Sequence, residues 1–102
     1  MHTPNFMSIV DDEDFTFKVE DAGLKVANLH CEVYVWSPRV LRKCYKAFGK
    51  AMHLLALDGF KKVMTVTPNP KFAYLFGGSF VDSVLYEGDY YEVIEWDLKL
   101  QR

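Results

Sequence analysis

Two groups of side chains in this sequence are of types that do chemistry. Arg39, Arg42 and Lys43 follow directly after Ser37-Pro38. Ser is a preferred helix N-cap and Pro suits the first helical position, so these cations flank the amides that lead a helix. Those amides point outward unpaired, and the macrodipole adds about half a positive charge, which makes a ready anion site. The second group centres on Glu32. Alternation along an extended segment sets it on one face with His30, Tyr34 and Trp36. An ionised carboxylate in such a place can take up a proton. Each group also fits a plainer description: a solvated basic helix face, and a strand-edge glutamate in water.

Charge by region sharpens the first case. Residues 1–36 hold seven acids against two bases, residues 37–72 one acid against eight bases, and residues 73–102 six against two. A middle third of net +7 thus lies between ends of −5 and −4, in a chain of net −2. This points to an anion site on an otherwise acidic protein. It speaks against a nucleic-acid binder, since the basic stripe is narrow and the pI is about 5.9. Cys31 and Cys44 are too few and too unpatterned for a disulfide framework, and fit a reduced compartment. His2, His30 and His53 lack zinc-site spacing, so no metal is expected. Neither a signal-like start nor a run of about 18 apolar residues is present, and a cytoplasmic location without membrane contact is the expectation.

At 102 residues, 50% hydrophobic and 16% aromatic, the chain is read as one domain with a core built on large rings. Residues 1–13, with Asp11-Asp12-Glu13-Asp14 beside them, read as a flexible acidic arm. "FTFKVED" (15–21) and "LKVANLHCEVYVW" (24–36) read as an antiparallel hairpin turning at Asp21-Ala22-Gly23. A helix then runs from Pro38 to about Leu57, with Leu41, Cys44, Tyr45, Phe48, Met52 and Leu55 as its apolar stripe and Gly59 as its left-handed cap. Gly49 in its middle implies close packing against the sheet. "KVMTVT" (62–67) is a strand parallel to 29–36. "NPKFAYLF" (69–76) is a short helix capped by Asn69 and closed by Gly77-Gly78, and residues 80–98 form a hairpin around Glu87-Gly88-Asp89. The expected fold class is α+β: a mixed, mainly antiparallel sheet of about five strands with one parallel βαβ unit, in the order β-β-α-β-α-β-β.

That order resembles the C-terminal two-thirds of the GNAT superfamily, the acyl-CoA-dependent N-acetyltransferases. "YVWSPRVLRK" is similar to the family's fourth strand entering its cofactor-binding helix. "LDGFKKVMTVTPNPKFAYLFGGSF" is similar to the fifth strand and fourth helix, and "VLYEGDYYEVIEWDL" to the last hairpin. The likeness spans roughly residues 24–98 and is nearest in flavour to short, divergent members encoded by phages, which lack the N-terminal elements. It implies acetyl-CoA as cofactor, held by Trp36, Arg39, Leu41, Arg42, Lys43 and Asn69, with the basic helix start as a phosphate cradle. It implies Glu32 as catalytic base and Tyr74 as the acid for the leaving thiolate, although a second alignment places Phe76 there and leaves no acid. Asn69 either caps its helix or meets the pantetheine arm. The family's glycine-rich loop before the cofactor helix is here "SPRVLRKCY", without a glycine, so a pyrophosphate would lean on side chains.

Two functions follow as expectations. One is a small acetyl-CoA-dependent N-acetyltransferase acting on an amine, such as one of a protein. The other is a catalytically inactive relative, for example a phage product acting in the host cytoplasm, that binds and modulates a host protein. A homodimer covering Phe15, Phe17, Tyr90 and Tyr91 is the expected assembly.

Overall fold

The local signals at the centre of the chain fix the longest element. In the computed structural model, which describes residues 7–99, α1 spans Pro38–Leu57. Ser37 is extended (φ −155°, ψ 160°) and its Oγ accepts the Val40 N–H at 3.1 Å, the expected N-cap bond. Gly59 (φ 101°) turns the chain out of the helix. The buried stripe is Val40, Cys44, Phe48, Ala51, Leu55 and Ala56. Tyr45, expected inside, is exposed. Gly49 is exposed as well, and a Cβ built on it meets nothing within 4 Å, so it marks no close packing. The tight glycine is Gly78, where a Cβ would press on Ile94, Trp96 and the Ala73 carbonyl.

Six strands form one sheet: β1 (Met7–Asp11), β2 (Phe15–Gly23), β3 (Val26–Val33), β4 (Lys62–Thr67), β5 (Ser79–Tyr86) and β6 (Asp89–Asp97). A second helix, α2 (Lys71–Leu75), lies between β4 and β5. The sheet order is β1-β2-β3-β4-β6-β5, antiparallel throughout except between β3 and β4. The α+β class with a single parallel pair is as expected from the sequence, with one strand more.

The added strand is β1, which takes Met7–Asp11 out of the expected arm; residues 1–6 lie outside the described residues. Two causes are visible. Ile9 and Val10 pack against the core. The repulsion within the acidic run is eased from α1, where Lys43 Nζ lies 3.0 Å from Asp12 and 2.9 Å from Asp14. The first hairpin turns later than expected, at Leu24-Lys25, both with positive φ. The last turn, Glu87-Gly88, has positive φ at both residues, as a two-residue hairpin of mirror-image type requires.

Both helices cover one face of the sheet. Phe15, Phe17, Val19, Ala27, Leu29 and Val63 meet Val40, Cys44, Phe48, Ala51, Leu55 and Phe76 in a single core. Phe15 and Phe17 are therefore interior and cannot form a dimer surface. Phe48 is its hub, ringed by Phe17, Phe76 and Trp96 at centroid distances of 5.0–6.2 Å. Such edge-on and tilted pairs add about 0.5–1.5 kcal/mol each beyond area burial. The other face carries Lys18, Glu20, Asn28, His30 and Glu32.

Candidate functional site: a cleft where parallel strands part

The parallel ladder is short. It pairs Val26 with Lys62, Ala27 with Val63 and Asn28 with Met64, and then stops. One more tie, Thr65 Oγ1 donating to the Leu29 carbonyl at 3.0 Å, ends the contact. From there Leu29–Val33 keep their β2 partners only, Val19 to Phe15. The expected pairing of 29–36 with 63–67 is thus shifted towards the start of both strands. The consequence is a cavity of about 310 Å³ between their far ends. Leu29, Val33, Trp36, Phe72, Ala73 and Trp96 give it apolar walls, and His30, Cys31, Thr65, Thr67 and Asn69 its polar ones.

Local chemistry explains the walls. The Trp36 ring sits edge-on to Phe72 at 5.7 Å, joining the end of the β3 segment to α2. Trp96 Nε1 donates to the Phe76 carbonyl at 3.0 Å, which satisfies its one polar atom and holds the indole in place. Asn69 lines the cavity but does not cap α2: its own N–H donates to Thr67 Oγ1 at 3.0 Å, and the cap position falls to Pro70 with no side-chain bond.

The residues singled out in the sequence divide between the cleft and elsewhere. Trp36 and Asn69 line it. Glu32 does not; it stands on the open face, and its Oε1 is 3.0 Å from His30 Nε2. That hydrogen bond is the main cause holding the Glu32 carboxyl below its ordinary range. His30, which the sequence offered only as a neighbour of Glu32, is the member of the pair that reaches the cavity. Arg39 and Arg42 are exposed on the first turns of α1. Lys43 is withdrawn from the phosphate cradle, being ion-paired to Asp12 and Asp14 and lying 5.8 Å from the Phe15 ring centre. The amides of the first turn left for a ligand are those of Ser37 and Arg39, since Pro38 has none and Val40 is capped. Leu41 and Arg42 line a second groove of about 330 Å³ between the helices, with Tyr45, Lys46, Leu75 and Phe76.

Tyr74 lies outside the cleft. Its hydroxyl donates to Glu92 Oε1 at 2.6 Å on the outer side of α2, a bond that pushes its pKa up. Phe76, the other alignment, is a core ring tilted against Phe72 at a centroid distance of 4.2 Å. Neither places a phenol in the cavity. The sequence also gave no sign that Cys31 and Cys44 meet. Cys31 faces inward from β3 to meet the Cys44 thiol of α1; hydrogen bonding between the two thiols, and then burial, push the Cys31 pKa up.

No protein-family profile matches the chain, and no curated protein does. Solved structures do. An aminoglycoside 6′-acetyltransferase of type Ii superposes with a TM-score of 0.75 at 12% identity, over 93% of this chain and 69% of its own. The chain has the GNAT fold. An acetyltransferase assigned to the GNAT family from Desulfovibrio desulfuricans gives 0.67 at 14% identity, over 88% and 65%. One assigned as an acetyltransferase from Agrobacterium tumefaciens gives 0.61 at 15%, over 93% and 74%. In this GNAT fold the parted strands are β3 and β4, and α1 begins two residues after the cleft-lining Trp36. No helix among the described residues is long and apolar enough to cross a membrane.

Proposed function

We propose that this GNAT-fold chain binds an acyl-CoA in the cleft and transfers its acyl group to an amine. The observation that carries the reading is the parting of β3 from β4 beyond Asn28, beside the start of α1. Past that point β3 presents backbone N–H and C=O groups that β4 does not take. Such groups must find partners, and an amide-bearing chain laid along the strand would supply them. Trp36, Phe72 and Trp96 suit the apolar parts of that chain. Arg39 and Arg42 suit its phosphates, because a guanidinium fork binds such oxygens in pairs. The fit is that of a side-chain-dependent site, with neither a glycine loop nor Lys43 to help.

Acetyl-CoA bound there supplies the acyl thioester; the protein supplies proton management. An ionised Glu32 accepts from His30 Nε2–H and holds the imidazole ring in place. We read His30 as the group that takes the proton from the acceptor ammonium, and Glu32 as the residue that orients it and stabilises the resulting imidazolium. Glu32 thus acts through His30 rather than directly.

A second reading is favoured by Tyr74 lying outside the cleft and by the loop without glycine: a binding protein that has the fold without the turnover, acting on another protein. One set of measurements separates them. Melting with acetyl-CoA at about 100 times its Kd should gain about 2.7 kcal/mol, each kcal/mol being worth about 4–8 °C at this size. Arg39→Ala with Arg42→Ala should remove most of that gain. His30→Ala should keep the gain but lose acetylation of amine acceptors, with partial rescue by added imidazole. Binding without turnover in the wild type selects the second reading. An unchanged melting curve at millimolar acetyl-CoA refutes both forms of the cofactor proposal.

A further inference from the structure

The most anomalous surface on the molecule lies away from the cleft. Every residue of β5 is exposed, although β5 is hydrogen-bonded to β6 along its whole length. It is the last strand of the sheet, so its other side is a free edge. Phe80, Val81, Val84, Leu85 and Tyr86 are all more than a third exposed, and Tyr90 of β6 extends the apolar region. Large side chains stand on both faces. Val84 and Tyr86 share one with Tyr91, whose ring lies 6.2 Å from that of Tyr86, and Leu85 shares the other with its partner Tyr90.

Exposed edges in soluble proteins are blunted by lysine, proline or covering loops. "SFVDSVLY" has neither Lys nor Pro. The protections present are a register shift between Phe80 and Asp82, and Asp82 Oδ1 accepting the Ser83 N–H at 2.8 Å. The charge around this edge has one sign. Residues 72–98 hold six acids and not one Lys or Arg. Glu95 and Asp97 are answered by Lys62, and Glu92 accepts from the Tyr74 hydroxyl. Asp82, Glu87 and Asp89 enter no ion pair among the described residues. They lie within β5 and at the turn that ends it.

We propose that β5 binds an extended basic and apolar segment of a partner protein, which joins the sheet as a seventh strand. An edge strand turns the N–H and C=O of alternate residues outward, and a peptide laid along it takes them up in a ladder. The exposed side chains on both faces then gain cross-strand neighbours. Lys or Arg near the ends of the incoming strand would meet Asp82 towards one end of β5 and Glu87 and Asp89 at the other. Charge complementarity selects this partner over a second copy. A two-fold contact sets the patch against its own image, which here gathers three acids from each copy and no base. β5 contributes no residue to the cleft, so the two sites can be tested apart.

Fluorescence anisotropy with a labelled peptide of the same length as β5, 8 residues, tests this without any cofactor. The peptide carries two lysines at each end of a Val-Ile-Tyr-Val centre. The expected result is saturable binding below millimolar peptide, weakening as salt rises. A twin with glutamate for every lysine, and a twin with its central amides N-methylated, should each bind at least tenfold more weakly. Leu85→Lys and Val84→Lys should each weaken binding at least tenfold while the circular dichroism spectrum stays unchanged. Leu54→Lys, on an equally exposed position of α1, should leave it unmoved. Should the β5 variants fail to fold, amide exchange on the wild type decides instead: β5 amides should slow when the peptide is added. No saturable binding at millimolar peptide overturns the proposal. So does either twin binding as well as the parent peptide, or an affinity indifferent to both β5 substitutions. β5 amides that slow with protein concentration and not with peptide would give the edge to a second copy and overturn it too.

Discussion

Gly49 and Gly78 look alike in the sequence, and the structure gives their replacement by alanine opposite signs. Gly49 sits in the exposed middle of α1, with no positive φ, and an added Cβ has open space around it. Nothing offsets the usual entropic cost of glycine in a helix, so Gly49→Ala should stabilise by about 0.8–1.0 kcal/mol. At this chain length that raises Tm by about 4–8 °C. Gly78 is different. Its Cβ would fall inside contact distance of Ile94 Cγ2 and lie 3.0 Å from both the Ala73 carbonyl oxygen and Trp96 Cζ2. Ile94 is fully buried and Trp96 is tied to the Phe76 carbonyl, so neither can swing away. Overpacking of this kind costs about 1–3 kcal/mol, and Gly78→Ala should lower Tm by about 4 °C or more. Thermal unfolding of the two single variants and the double variant reads both effects, which should add because the sites share no partner. A Gly49→Ala variant less stable than wild type would show that the helix is packed there after all, and a neutral Gly78→Ala would remove the account of how α2 is fastened to β6.

Two further predictions concern charges and thiols. Asp12 is held below its ordinary pKa of 3.8, first by the Asp14 N–H and then by Lys43. A carboxylate depressed in the folded state contributes stability above its unfolded pKa and loses it as pH falls through the folded value. Asp12→Asn should therefore destabilise at neutral pH and lose that effect as acidification passes below the ordinary value and through the folded one, as denaturant titrations at neutral and strongly acidic pH would show; an equal effect at both would sink the ion-pair account. Cys31 is raised by its bond to Cys44, and Cys44 is fully buried. Each unit of rise removes about tenfold of the thiolate, so a disulfide reagent at pH 8 should label the native protein at least tenfold slower than the unfolded chain. Labelling of either native thiol at the rate of a free cysteine would contradict the contact.

What could be read in the sequence was what local chemistry decides. Ser37-Pro38 and Gly59 bound α1 because capping and left-handed turns act within a few residues. Glu87-Gly88 fixes the last hairpin for the same reason. β1 was illegible because its acids are repulsive only until Lys43, roughly thirty residues on, is brought beside them. The α1 stripe was read one position off in places: Val40 and Ala51 are inside and Tyr45 is out, since the helix turns a face that only the sheet selects. The cleft shows the same division. Trp36 and Asn69 were named through the family resemblance, which matches the strand–helix junctions they occupy. His30 was passed over because the cavity it borders opens where β4 leaves β3, a fact about two strands that neither strand carries alone.

The same distinction revises the reading of the basic middle third. Two of its eight cations are answered within the protein: Lys43 by Asp12 and Asp14, and Lys62 by Glu95 and Asp97. The acidic ends and the basic centre are thus partly two sides of the same ion pairs, made between elements distant in sequence. Arg39 and Arg42, at the start of α1, take part in no such pair among the described residues. Guanidinium holds its proton throughout the working pH range and sheds water more readily than ammonium. Under the proposed reading, that unpaired charge at the start of α1 is what an anion arriving from solution would meet.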